Sequence, residues 1–331
     1  MLIEPKKKYM VESVQGKNWY LEGSGVEKLR YNPFRKKNRL KAEEAYKKNF
    51  DLPGPLHVII ETSSLCQLRC GFCNRDAGLA RPQKNMGLDL FKKVADQCAE
   101  GGVHSLGLYA LGEPFLNPDL RKMITYAKGI GIPYCDVSSN GMLPMAEVVL
   151  GTSLNEIIVS LDGFKETHEK LRPGSSWEKI RDNIGNLWWQ RKRGNHQWPI
   201  IRLQIIDLPE NHDKIPQFID WGLTFADVVY VKRVESMRQS LGNRLIADDK
   251  ANDLMLNRTA CKQLYFCLTV TSSGDISACC HDGKNNTVLG NISEINIKDA
   301  WVKLAEIRQR HRMGDYSDFN GLCKNCTDYN W

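Results

Sequence analysis

Three cysteines, Cys66, Cys70 and Cys73, stand at C-x3-C-x2-C shortly after the apolar run His57-Val58-Ile59-Ile60. Thiolates are soft ligands that suit iron–sulfur clusters, zinc or Cu(I). Three of them on one short loop can converge on a centre that keeps a coordination position open. Structural zinc takes four protein ligands, and no histidine lies near enough in the sequence to be an obvious fourth. A four-iron cluster on three cysteines instead leaves one iron for a ligand that is not protein. Cysteines return in the last quarter of the chain as Cys261, Cys267, Cys279, Cys280, Cys323 and Cys326, and there are eleven in all. The opening Met-Leu-Ile-Glu-Pro-Lys-Lys-Lys lacks the cationic-then-apolar order of a secretory signal. A cytoplasmic location is therefore expected, where thiols stay reduced and so many cysteines point to metal rather than to disulfides.

Elements that could position such a loop follow from periodicity. From Pro53 onward, short apolar runs alternate with amphipathic stretches, the pattern of a parallel α/β sheet or barrel. Strands are expected at residues 58–61, 105–109, 134–138, 156–161, 200–206 and 228–231, with helices at 88–99, 118–128, 145–149, 177–192 and 215–221. Six such units make an incomplete TIM-like barrel, and chemistry in a parallel barrel collects at the carboxyl ends of the strands. Ahead of it, residues 8–21 read as a hairpin and 41–48 as a short helix. The expected division is a basic extension over 1–52, a barrel over 53–240 and a small module over 241–331.

Chemistry-bearing motifs follow the strands in turn. After the second comes Ala110-Leu111-Gly112-Glu113-Pro114, and after the third Ser138-Ser139-Asn140-Gly141. After the fourth comes Val159-Ser160-Leu161-Asp162-Gly163, then His168, Leu171, Arg172 and Gly174. A hydroxyl beside an arginine fork can hold a carboxylate through charge-assisted bonds. The cysteine spacing, with the aromatic Phe72 before the last thiol, resembles the radical S-adenosylmethionine (SAM) superfamily. That resemblance implies that Cys66, Cys70 and Cys73 hold a 4Fe-4S cluster and that Glu113 contacts the amino group of SAM, although the chain reads Leu-Gly-Glu where the family has Gly-Gly-Glu. It also places Ser138 and Asn140 near the ribose and methionine of SAM. The Ser-x-Asp-Gly and Leu-Arg-x-Gly pair resembles the SPASM/twitch branch, which assigns Ser160 and Arg172 to the SAM carboxylate.

Beyond Leu241 the alternation stops. Residues 269–271 and 276–278 flank Ser272-Ser273-Gly274-Asp275 as a hairpin, and 296–311 reads as an amphipathic helix. A hairpin and a helix are too little core to stand alone, and a metal centre would supply the deficit. The spacing C-x12-G-x4-C followed by C-x2-C resembles the twitch module. This implies one auxiliary 4Fe-4S cluster on Cys261, Cys279, Cys323 and Cys326, with Cys267 or Cys280 able to replace a neighbour. Four-cysteine zinc is the rival at this site, since spacing alone does not separate the metals.

Full cysteine ligation suits an auxiliary cluster to electron transfer, and this favours oxidation over rearrangement. With C-x17-C and C-x2-C, the chain resembles the aminocyclitol and sugar radical SAM dehydrogenases. A carbohydrate-like alcohol is the expected substrate and a reducing flavodoxin or ferredoxin the expected electron donor; the formal charge of +7, in runs that are usually solvated faces, leaves a phosphorylated or nucleotide-linked form of that substrate open. His281 and Asp282 are candidate proton acceptors beside Cys279, and Arg244 a candidate for substrate hydroxyls. Three alternatives compete: a maturase acting on a ribosomal peptide, an epimerase using Cys280 or Cys135 as hydrogen donor, and a non-catalytic metal-bound nucleic-acid module. The six-unit pattern argues against the last, and the chain matches no nucleic-acid reading motif. No apolar run is long enough to cross a bilayer.

Overall fold

The computed structural model describes residues 10–12, 18–20, 33–48, 50–75, 78–232, 260–324 and 326. In chain order the elements begin with strands β1 (Met10–Glu12) and β2 (Asn18–Tyr20) and helix α1 (Pro33–Lys48). The repeating part follows: β3 (His57–Ile60), α2 (Leu88–Glu100), β4 (Ser105–Leu108), α3 (Leu120–Gly129), β5 (Tyr134–Ser139), α4 (Ala146–Val149) and β6 (Glu156–Leu161). It continues with α5 (Lys165–Leu171), α6 (Trp177–Arg193), β7 (Ile200–Ile206), α7 (Ile215–Phe225) and β8 (Val228–Lys232). The C-terminal part holds β9 (Cys267–Val270), β10 (Asp275–Ser277), β11 (Val288–Asn291) and α8 (Ile297–Arg312).

Strands β3 to β8 lie side by side in chain order, each parallel to the next. This is the expected α/β partial barrel of six parallel units. Its two edges are not left open, for the reason that an exposed edge offers unpaired backbone groups. The β1–β2 hairpin adds to β8 through a parallel pair. On the far side, β9 pairs in parallel with β3, setting His57 opposite Cys267 and Ile60 opposite Val270. The C-terminal hairpin thus continues the barrel sheet instead of packing on it from outside.

Successive side chains of a strand point to opposite faces, and here the two faces differ in chemistry. Val58, Ile60, Leu106, Val137, Val159, Leu203 and Val229 enter the apolar core beneath the helices. Their alternates, among them His57, Ser105, Asp136, Glu156 and Arg202, take the opposite, lumen face and are buried as well. Ile59, Ile158, Ile200 and Val228 share this face, so the lumen is mixed, with polar groups set among the branched apolar side chains usual in a closed barrel. It is braced by ion pairing: Arg202 Nη2 meets Glu156 Oε1 at 2.5 Å, and Tyr134 donates to Glu156 Oε2 at 2.6 Å.

Helix α8 is anchored back onto the barrel. Trp301 Nε1 donates to Leu52 O at 2.7 Å, the Arg308 guanidinium stacks 3.9 Å from the Trp301 ring centre, and Arg308 Nε donates to Leu264 O. The short helix expected at 41–48 begins at Pro33 instead. Proline suits the first turn of a helix, and the segment's polar sequence hides its length; Ala42 and Ala45 go deep into the core.

Candidate functional site

The cysteine loop leaves β3 and is pinned from three sides. Gly112 lies so close under it that a Cβ there would stand 2.0 Å from Ser63 O, and Glu113 N donates to Leu65 O at 2.7 Å. Glycine in the Gly-Glu-Pro motif is thus demanded by a backbone-to-backbone approach. On another side, Arg69 N donates to Pro173 O, and Gly174, at φ +94°, would put a Cβ 3.0 Å from Gln67 O. The Leu-Arg-x-Gly motif is therefore the wall on which the loop rests. Phe72 lies under the Arg172 guanidinium, 5.2 Å from ring centre to Cζ.

The three thiols lie within electrostatic reach of one another. Burial pushes the Cys70 thiol up to about 12, the charges of Cys73 and Cys66 add to the rise, and the Arg172 cation opposes it. Burial likewise raises Cys66. Thiols so placed, close together and desolvated, are stabilised as thiolates when they bind metal. Asn140 Nδ2 reaches Cys66 Sγ at 3.8 Å, the kind of hydrogen bond to sulfur that tunes an iron–sulfur centre.

Glu113 is the hub of the hydrogen bonds beside this loop. Its carboxylate accepts from Asn140 N at 2.7 Å, Ser139 Oγ at 2.8 Å and Phe115 N at 3.1 Å, and it is buried. Burial pushes its carboxyl up to about 7 against these donors and the Arg172 charge. Of the serines at the end of β5, it is Ser139 that grips Glu113. The expected Ser138 takes the opposite face of the strand, half-buried. The signal that separates the two was period-two alternation, which puts Ser138 in line with Asp136. Ser160, half-buried on β6, lies opposite Gln204 of β7. Arg172 is buried and donates from Nε to Asp162 Oδ2 at 2.6 Å, so the terminal nitrogens of its fork are not the ones that hold Asp162.

In the C-terminal module, Cys261, Cys279, Cys323 and Cys326 line one pocket together with Leu264, Ala278, His281, Phe319 and Leu322. Cys279 feels Cys280, Cys326 and Cys261, and burial raises its thiol far above the usual range. Cys267 and Cys280 are not among the pocket's lining residues but lie next to it: Cys267 opens β9 and feels Cys280 and Cys261, and Cys280 Sγ accepts at 3.5 Å from Nε2 of Gln263, which lines the pocket. The four thiols line one pocket, as ligands of a single centre would.

Of the expected proton acceptors, His281 lines this pocket. Asp282 does not act as a free carboxylate: its oxygens accept from Lys284 N, Thr287 N and Thr287 Oγ1, holding its own turn, and it is 5% exposed. Arg244 lies outside the described residues. Sequence reading missed Asn74, Arg81, Ser139 and the polar groups of the lumen. No helix among the described residues is long and apolar enough to cross a membrane.

Residues 60–220 match the family model described as the Radical SAM superfamily, and residues 261–327 the one described as SPASM, an iron–sulfur cluster-binding domain. PqqA peptide cyclase of Bradyrhizobium diazoefficiens is 27% identical over 220 residues, a match that takes in 59% of this chain and 57% of the cyclase. The chain thus spans less than two thirds of that relative. Two solved structures share the fold. BtrN in complex with AdoMet and 2-DOIA aligns with a TM-score of 0.57 at 19% identity over 82% of this chain and 92% of BtrN. Streptococcus suis SuiB bound to precursor peptide SuiA aligns with a TM-score of 0.61 at 17% identity over 80% of this chain and 68% of SuiB. SAM and 4Fe-4S clusters, one at the SAM site and one auxiliary, are the cofactors that these domains imply, and the thiol groupings above fit them. The chain thus shares the radical SAM fold, with residues 60–220 similar to the radical SAM superfamily and residues 261–327 to the iron–sulfur cluster-binding SPASM domains.

Proposed function

We propose that the protein is a radical SAM oxidoreductase that oxidises a secondary alcohol of a sugar, aminosugar or cyclitol to a carbonyl. The observation that carries this reading is the set of half-buried polar side chains on the lumen face. Glu156, Arg202 and Tyr134 satisfy one another, while Ser138, Ser160, Gln204 and Tyr230, half-buried on the same face of β5 to β8, offer hydroxyl, amide and phenol groups that suit a substrate dense in hydroxyls or amines. When bound, SAM on the first cluster supplies the hydrogen-atom acceptor, and the auxiliary cluster takes up the electron that remains. The carbinol gives up one hydrogen atom from carbon, one proton from oxygen and one electron.

The chain's own residues have distinct tasks in this reading. Cys66, Cys70 and Cys73 hold the first cluster; Glu113 accepts the amino group of SAM, with Ser139 and Asn140 orienting it. Ser160 and Arg172 take the SAM carboxylate, and Ser138 faces the bound cofactor from the lumen. Cys261, Cys279, Cys323 and Cys326 hold the single auxiliary cluster, leaving Cys267 and Cys280 as thiols. His281, which lines that pocket, receives the hydroxyl proton, an imidazole being a suitable base. Reduced flavodoxin or ferredoxin supplies the electrons. The functional division runs at 1–52, 53–240 and 241–331.

A second reading, peptide modification, is favoured by the match to a peptide cyclase and by the fold shared with a peptide-bound structure. One experiment separates the two. Reduced, reconstituted protein is incubated anaerobically with SAM and, in parallel, with aminocyclitols, sugars and peptides, and 5'-deoxyadenosine and substrate mass are scored. Loss of two hydrogens from a cyclitol or sugar supports oxidation; turnover confined to peptides refutes it.

A further inference from the structure

The segment just after Cys73 is fastened to the turn just after Cys279. Asn74 Nδ2 donates to His281 O at 3.0 Å, Ala80 N to Gly283 O at 2.8 Å, and Arg81 Nη1 to Asp282 O at 3.2 Å and Asn285 Oδ1 at 3.3 Å. Gly283 sits so close that a Cβ there would stand 3.3 Å from Asn74 O. The same Arg81 grips Glu61 with two bonds, Nη2 to Oε1 at 2.6 Å and Nε to Oε2 at 3.1 Å, with the two side chains 3% and 0% exposed. Glu61 Oε2 in turn accepts from Ser272 N at 3.1 Å, and Ser272 Oγ meets Ser64 Oγ at 3.1 Å.

These contacts reach both thiol groups from both sides. Glu61 and Ser64 precede Cys66, and Asn74 follows Cys73; Ser272 precedes Cys279, and His281 follows Cys280. A buried, doubly bonded guanidinium–carboxylate pair fixes direction as well as distance. The potential of an iron–sulfur centre is set by hydrogen bonds to its sulfurs and by its exposure, and the backbone of residues 280–282 is the part of the turn nearest Cys279. Movement of the first loop is therefore passed to the surroundings of the second pocket.

We propose that Asn74 and Arg81 are positioning residues that make the two cysteine loops one mechanical unit, so that SAM binding at the first centre shifts the reduction potential of the auxiliary one. This rests on the reading that Cys66, Cys70 and Cys73 and the quartet Cys261, Cys279, Cys323 and Cys326 hold clusters. By linkage, the auxiliary redox state changes SAM affinity by the same factor.

The test is an EPR-monitored redox titration of the reconstituted full chain, with and without SAM, on the wild type, Asn74→Ala and Arg81→Lys. Iron analysis and the spectra of both centres are recorded first. In the wild type, a tenfold coupling appears as a shift of about 59 mV for a one-electron couple. Asn74→Ala, at a half-buried loop position, should lose at least half of that shift with its iron content unchanged. Arg81→Lys keeps the charge without the fork and should lose more. An unshifted wild type, or a wild-type shift retained in Asn74→Ala, overturns the proposal. Iron for only one cluster overturns it too, and is told apart because it removes the cluster assignment itself.

Discussion

The Asn140 backbone amide donates to Glu113 Oε2 over 2.7 Å, while the side chain of the same asparagine reaches Cys66 Sγ. One residue at the end of β5 thus touches both the carboxylate expected to meet SAM and a thiol expected to hold iron. Cluster and cofactor sites are built on shared parts, and changes in one should register in the other.

Iron content is the first check. Reconstituted wild type should hold about eight irons per chain, as two four-iron clusters require. Replacing Cys66, Cys70 and Cys73 with Ala should leave about four and abolish 5'-deoxyadenosine formation. Retained SAM cleavage in that variant would falsify the first-cluster assignment.

Glu113 should make SAM binding pH-dependent. Its carboxyl sits at about 7, so below that value the proton must leave before the carboxylate can accept the SAM ammonium. Affinity should weaken by up to about tenfold per pH unit below 7 and level off above it. Glu113→Gln should flatten this dependence and cost about 10- to 100-fold, the worth of a charged hydrogen bond. Equilibrium dialysis between pH 6 and pH 8 tests both expectations.

His168 should shape the acid limb of stability. It is buried on α5, its Nδ1 accepts from Asp162 N at 3.2 Å, and burial together with Arg172 pulls its pKa down to about 4. The folded state needs the neutral ring. Its contribution is therefore complete above the unfolded value of about 6.5 and is lost as pH falls to 4, for a total of about 3 kcal/mol. His168→Gln should remove that slope from denaturation midpoints measured across the interval.

The lumen pair of Glu156 and Arg202 should show non-additivity. Glu156→Leu alone strands a guanidinium that is 7% exposed, at a cost of about 3–5 kcal/mol. Adding Arg202→Met should recover more than half of the loss in urea unfolding. A double variant no more stable than the single would show that the two side chains are not coupled.

Gly112→Ala should be damaging out of proportion to one methyl group. The added carbon would lie 2.0 Å from Ser63 O, and both partners are backbone. A loss of about 3 kcal/mol or more is expected, together with loss of the first cluster's iron.

Sequence alone determined the cysteine spacing, the six alternating units and the motif order along the strands, because these are local patterns of period and ligand type. The ranges 156–161 and 200–206 match β6 and β7 residue for residue. Helix α5 escaped notice because its seven residues bury only His168, and β11 because its four residues, none of them buried, carry no apolar pattern. Only tertiary structure decided the bond from Ser139 to Glu113, the use of Asp282 on its own turn and the insertion of β9 beside β3. It also decided which four of six C-terminal cysteines line one pocket. Each depends on which face a side chain takes and on contacts between residues up to about two hundred positions apart, as in Asn74 and His281, and spacing along the chain carries no record of either.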